Sequence, residues 1–254
     1  MILKNISILY GTDLKFVQCM DVKITNEKFH SISPRISPKK EKILDCEGLL
    51  LIPGLINSHT HIGDSIGKDV SLDSSVNSRI HPVASVKQKI LSETPKKELA
   101  RFMRKSAVSM LKKGITTFVD FREGGIEGIQ LLKHAIKDNP IRSIILGRID
   151  YYQTKNDIQK NTSMPESYKS ELKSLLRNCD GIGLSGPNEN SNSNLITYSK
   201  IRKLRAIHAA ETMESYSTSQ KISKSTEPIR ALLANPTFLV HMTFATKNDL
   251  KKVS

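Results

Sequence analysis

Residues 53–61 read PGLINSHTH, a Pro-Gly break, a short apolar run and then two histidines separated by one threonine. With Leu49–Ile52 in front of the break, the segment is too short for a membrane-spanning helix and suits a strand buried on both faces of a parallel sheet. Side chains two apart on a strand share a face, so His59 and His61 project together with the small Thr60 between them. Two imidazoles so placed can grip one metal ion. Alone, such a pair is a weak sign. Its place at the C-terminal end of a buried strand strengthens it, because parallel barrels put their active sites there.

Downstream of residue 95 the pattern becomes repetitive. Thr94 as cap and Pro95 at the first helical position open a helix carrying Leu99, Phe102, Met103, Met110 and Leu111, which Gly114 stops. The strand ITTFVDF (115–121) follows, then a helix marked by Ile126, Ile129, Leu132 and Ile136 and ended by Asn139-Pro140, then the strand IRSIILGRI (141–149). A further helix over 165–177 leads to GIGLS (181–185), and LRAIHA (204–209) and TFLVHM (237–242) complete six apolar strands. Strands separated by helical segments are what βα repeats require. The expected fold is α/β, an incomplete TIM-type (β/α) barrel of about six βα units.

Upstream, residues 1–48 alternate in short runs with a turn at Asn26-Glu27, which predicts a small β unit ahead of a barrel spanning 49–254. The polar stretch Ile62–Thr94 is long for a βα connection and is read as a lid or pocket wall at the barrel mouth. Three cysteines, Cys19, Cys46 and Cys179, at wide spacings indicate neither a disulfide framework nor a zinc knuckle and read as buried free thiols.

The net charge is +14, yet the lysines are scattered as pairs such as Lys39-Lys40, Lys96-Lys97 and Lys112-Lys113 on faces expected to meet water. With no Trp and little aromatic interleaving, the chain offers no platform for base stacking, which argues against nucleic acid as a partner. Without a membrane-length apolar run or a signal-like N-terminus, the expected location is cytoplasmic.

Two more histidines end apolar strands: His208 in AIHAAE (206–211) and His241 in FLVHMTFA (238–245). Four histidines so distributed would be a poor use of polar burial unless they converge. PGLINSHTH after a β unit, GITTFVDF (114–121), HAAE (208–211) and VHMT (240–243), in that order over nearly the whole chain, resemble the amidohydrolase superfamily, and within it the cytosine-deaminase-like and adenosylhomocysteine-deaminase-like enzymes.

The resemblance implies that His59, His61 and His208 ligate a divalent metal ion, that His241 hydrogen-bonds the water on it, and that Glu211 is the proton shuttle. Glu211 can serve if the chain leaves the strand at Ala209, since a continuing strand would turn it to the opposite face. Zinc suits such ligands best, with iron or manganese also acceptable. The implied reaction is hydrolysis of a carbon–nitrogen bond other than a peptide bond, in a small cyclic or heteroaromatic substrate. GIGLS lacks a bridging lysine and Glu189 is the only carboxylate nearby, which favours one metal. Arg122, Glu123 and Arg148, at the ends of two strands, are read either as orienting a substrate or ligand or as a structural ion pair.

The same resemblance calls for two further βα units and an eighth-strand aspartate, whereas the sequence stops at Lys251-Lys252-Val253-Ser254. A truncated, inactive chain is therefore expected, with open strand edges that could meet a second copy or a complementary C-terminal chain. The competing reading is a non-catalytic fragment or basic interaction module associating with a complementary chain or with nucleic acid.

Overall fold

The computed structural model describes residues 1–70 and 85–253. The chain divides into two compact units, Met1–Leu55 and Ile56–Ser254.

The first unit is a five-stranded sheet. Strands β1 (Ile2–Tyr10), β2 (Lys15–Thr25) and β3 (Lys28–Ser33) pair antiparallel, while β4 (Ile43–Asp45) and β5 (Leu50–Leu51) run parallel to β1. Asn26 and Glu27 form the expected turn, both left-handed at φ 50° and 60°, a pairing that matches the twist of the flanking strands. Leu3, Ile6, Ile8, Val22 and Cys46 close the small core. Cys46 and Cys179 are buried free thiols, but Cys19 is exposed, at a left-handed residue of β2 (φ 52°).

In the second unit six strands are hydrogen-bonded in chain order: β6 (Leu55–Thr60), β7 (Ile115–Arg122), β8 (Arg142–Gly147), β9 (Gly181–Leu184), β10 (Leu204–Ala209) and β11 (Phe238–His241). The pairings from β7 through β11 are parallel. Between them come α1 (Val86–Glu93), α2 (Lys96–Lys112), α3 (Gly125–Ile136), α4 (Lys155–Gln159), α5 (Glu166–Leu176), α6 (Asn192–Ser199), α7 (Met213–Ser223) and α8 (Glu227–Ala231), with α9 (Lys247–Val253) after β11. This is the α/β architecture of an incomplete TIM-type barrel.

The strands curl rather than lie flat. Five steps of about 4.8 Å would set the outer strands of a flat six-stranded sheet roughly 24 Å apart. Yet the rings of His59 on β6 and His241 on β11 lie 5.2 Å apart. Alternation along each strand divides the core. Val119, Phe121, Leu146, Ala206 and Val240 fill the interior, while Phe118, Ile145, Ile182 and Ile207 face the helices and meet Leu99, Met103, Ile129, Leu132 and Leu175. Gly183 leaves room inside for Phe121, whose ring carbon would stand 2.5 Å from a Cβ at that position.

Two further expectations need correction. The run 49–61 is not one strand buried on both faces: it splits into β5, which pairs with β1, and β6, whose Leu55 and Ile56 are 52% and 67% exposed. Among the described residues β6 stands at an edge of the sheet, with β7 as its strand neighbour. Thr94 does not cap α2 but ends α1, donating its own N–H to Ile90 O, so α2 starts at Lys96 behind Pro95. Of the stretch read as a lid, Ile62–Gly67 is a 3₁₀ turn and Val86–Glu93 is helical, and residues 71–84 lie outside the described residues.

Candidate metal centre

Thr60 anchors the histidine pair. Its hydroxyl lies 2.8 Å from Val119 O and 3.0 Å from Asp120 Oδ1, and Asp120 Oδ1 also accepts the Ile62 N–H at 2.7 Å. Asp120 points away from the interior because Val119 and Phe121 point into it. One outward carboxylate on β7 thus ties down both ends of the segment carrying His61. His59 and His61 then project inward together, ring centroids 5.0 Å apart.

His208 arrives from β10, its ring 4.9 Å from His59 and 5.4 Å from His61. One ring nitrogen from each of the three lies within 4.8 Å of the others. Phe121 forms the floor, its ring 4.7 Å from both His59 and His208. His241 stands 5.2 Å from His59 and from His208. The sequence-predicted residues therefore converge, and Phe121 joins them from the strand between.

The hydrogen bonds assign the tautomers. His208 Nδ1 is 2.8 Å from Leu184 O, an acceptor only, so Nδ1 carries the proton. His61 Nδ1 is 3.2 Å from Glu123 Oε1, which places its proton there too. Each Nε2 is left as a lone pair, and the two face one another at 3.3 Å. Two lone pairs at that distance repel. Nitrogen ligands at about 2.0 to 2.1 Å from a tetrahedral zinc are about 3.3 to 3.4 Å apart, so the pair is spaced for one ion. The buried His59 Nδ1 has no hydrogen-bond partner. Burial, with His61 beside it, draws His59 down to about 4, and burial with His61 likewise draws His208 well below the ordinary imidazole value. Neutral imidazoles are the form that ligates a metal.

Glu211 is brought beside His241 by a turn. β10 ends at Ala209, and Ala210 takes the left-handed conformation at φ 51°. Its N–H donates to Glu227 Oε2 at 2.9 Å and its carbonyl accepts from Phe244 N at 2.9 Å. Glu211 Oε2 then lies 3.4 Å from His241 Nε2. Glu189 accepts the Ser185 hydroxyl at 3.3 Å and belongs to neither group of metal-competent side chains among the described residues.

Beside the histidines lies a charged network. Glu123 Oε1 meets Lys87 Nζ at 2.5 Å and Arg148 Nη2 at 3.3 Å, and Oε2 meets Arg122 Nη2 at 2.9 Å. Arg122 also stands 3.6 Å from Asp120, and Lys87 2.7 Å from Asp64. Burial works to raise the Glu123 carboxyl, but Lys87, the His61 hydrogen bond and Arg148 hold it well below the ordinary carboxylate range. Arg122, Glu123 and Arg148 are thus joined in buried ion pairs, and Glu123 also touches His61. Lys87 and Asp64 were invisible as partners because the residues between their elements carry no periodicity. Asp120 had a signal, an acid inside an apolar strand.

The amidohydrolase family profile matches residues 50–228. A protein named as a putative aminohydrolase from Methanothermobacter thermautotrophicus is 34% identical over 100% of this chain, which spans 65% of that protein. The 5-methylthioadenosine/S-adenosylhomocysteine deaminase of Pyrococcus furiosus is 31% identical over 47% of this chain and 28% of its own length. Among solved structures, the zinc complex of an atrazine chlorohydrolase from Arthrobacter aurescens superimposes with a TM-score of 0.68 at 15% identity, over 91% of this chain and 57% of that one. That likeness concerns the fold. No helix among the described residues is long and apolar enough to cross a membrane.

Proposed function

The chain belongs to the amidohydrolase family, and from that premise we propose that it carries the metal centre of a hydrolase acting on a carbon–nitrogen bond, other than a peptide bond, of a small heteroaromatic amine. The observation that carries the reading is the pair of Nε2 lone pairs, on His61 and His208, held 3.3 Å apart by Glu123 and Leu184 O. His59, His61 and His208 would hold one divalent ion, and zinc fits their number, chemistry and spacing. When bound, such an ion supplies Lewis acidity that makes water a competent nucleophile near neutral pH.

The chain's own residues supply the rest. Glu211, 34% exposed and 3.4 Å from His241, would take a proton from the attacking water and deliver it to the departing nitrogen. His241 is placed to orient that water through a ring nitrogen. Phe121 closes the floor and excludes solvent from below. Deaminase-named relatives support an aminopurine-type ring as the substrate class.

The test is to measure zinc bound per chain and ammonia released from a panel of aminopurine nucleosides, for the wild type and for His61→Ala and Glu211→Gln. One tightly bound zinc lost in the histidine variant, with ammonia release lost in both, is expected. A wild type that takes up no divalent metal would overturn the reading.

A further inference from the structure

The second group of metal-competent side chains among the described residues, His61, Asp64 and Glu123, already has a cation in it. Lys87 places Nζ 2.5 Å from Glu123 Oε1 and 2.7 Å from Asp64 Oδ2, with its side chain 10% exposed. An ammonium therefore stands between the carboxylates that a second metal ion would have to bridge. The charges are also matched. In the ion pairs themselves, Asp64, Asp120 and Glu123 face Lys87, Arg122 and Arg148, so each of these three carboxylates already has a cation beside it. At ion-pair distances in a buried site, the ammonium strongly repels a second positive charge.

This arrangement bears on His61. The two nitrogens of an imidazole are fixed on opposite sides of the ring, so holding Nδ1–H on Glu123 Oε1 both selects the tautomer and aims Nε2 at His208. The carboxylate itself cannot swing away. Arg122 donates Nη2–H to its Oε2 at 2.9 Å and Nε–H to the Glu123 backbone oxygen at 3.1 Å, so one guanidinium holds both the carboxylate and the main chain that carries it. Gly63, just past His61, makes the space for that guanidinium: a Cβ there would sit 2.0 Å from Arg122 Nη2. A glycine two residues beyond the histidine thus lets the network approach it from beneath.

We propose that Glu123 is a positioning residue for His61, clamped by Lys87, Arg122 and Arg148, and that the Lys87 ammonium takes the place of a second metal ion and makes the centre mononuclear. The proposal rests on the reading that the three histidines hold an ion, and its experiment separates the two. In the metal-free full chain with ¹⁵N-labelled histidine at pH 8, long-range ¹H–¹⁵N spectra should show His61 protonated at Nδ1; protonation at Nε2 overturns the positioning role, whatever the metal result. Zinc titration against a chelator should give one ion per wild-type chain, and two would overturn the role of Lys87. Glu123→Gln should weaken zinc binding by roughly 10- to 100-fold, the range for lost outer partners of a ligating histidine, and unchanged affinity would count against the positioning role. Lys87→Met should admit a second, weaker zinc, and a stoichiometry that stays at one would refute the substitution of ammonium for metal. If the wild type binds no zinc while His61 is protonated at Nδ1, the metal reading fails and the positioning geometry stands.

Discussion

Replacing Glu227 by glutamine should change the way stability depends on pH. Glu227 is 4% exposed at the start of α8, where its carboxylate accepts the Ala210 N–H at 2.9 Å, the Ser215 hydroxyl at 2.8 Å and Asn188 Nδ2 at 3.3 Å. Burial pushes it from the ordinary 4.5 up to about 7; the Ser215 and Ala210 bonds pull the other way, and Glu189 and Glu211 add repulsion. Between those two values the folded protein keeps a proton that the unfolded chain has released. Stability must therefore fall as pH rises through this window. At about 1.4 kcal/mol per pH unit the whole rise amounts to about 3 kcal/mol, of which roughly 2 to 3 kcal/mol is lost between pH 5 and pH 8. Glutamine keeps an acceptor for Ala210 and has no proton to lose. Urea unfolding of the metal-free wild type and Glu227→Gln at pH 5, 6, 7 and 8 should show the variant gaining on the wild type as pH increases. Two parallel pH profiles, or a wild type that gains on the variant, would refute the raised carboxyl and the tight, dry packing from which it follows.

Other outcomes are open to simpler measurements. Gly63→Ala should lose roughly 1 to 3 kcal/mol by overpacking against Arg122, read by thermal or urea unfolding, and an unchanged midpoint would contradict the contact. Phe121→Ala should lose roughly 3 to 5 kcal/mol and weaken zinc binding as well, since the ring supports His59 and His208 from the barrel interior. Zinc at a hundredfold excess over its Kd should add about 2.7 kcal/mol of stability, reversed by a chelator and absent in His208→Ala, as followed by calorimetry.

The parts of this structure that were legible in the sequence are those written in local patterns. β10 falls on LRAIHA, α5 lies within the predicted 165–177, and the Asn26-Glu27 turn is in place, because strand apolarity, helical spacing and turn chemistry act over a few residues. The convergence of the histidines was legible too, since each ends a strand and parallel strands end at one mouth. What could not be read depends on contacts distant in sequence. Glu123 and Lys87 are 36 residues apart and Glu227 and Ala210 are 17 apart, and nothing in either neighbourhood names its partner. The exposure of Leu55 and Ile56 was equally hidden, because an apolar strand reads the same whether one neighbour flanks it or two.

The backbone at the ends of β10 and β11 shows how the site departs from strand periodicity, and why. His208 and Val240 both face the interior, so strict alternation would send Glu211 and His241 outward toward the helices. Neither goes. Ala210 at φ 51°, His241 at 71° and Met242 at 58° are left-handed without being glycine, conformations that carry about 1 to 3 kcal/mol of strain each when held by their surroundings. The surroundings here are hydrogen bonds that make the two turns one object: Met242 N–H to Ala209 O, Phe244 N–H to Ala210 O, and the Ala210 N–H to Glu227. Through them His241 is turned back to within 5.2 Å of His59 and His208, and the Glu211 carboxylate is set 3.4 Å from it. A sequence with glycine at these positions would adopt the turns with less strain but would also have other conformations open to it. Ala210, His241 and Met242, clamped as they are, hold the chain at the turn from which the Glu211 carboxylate meets His241.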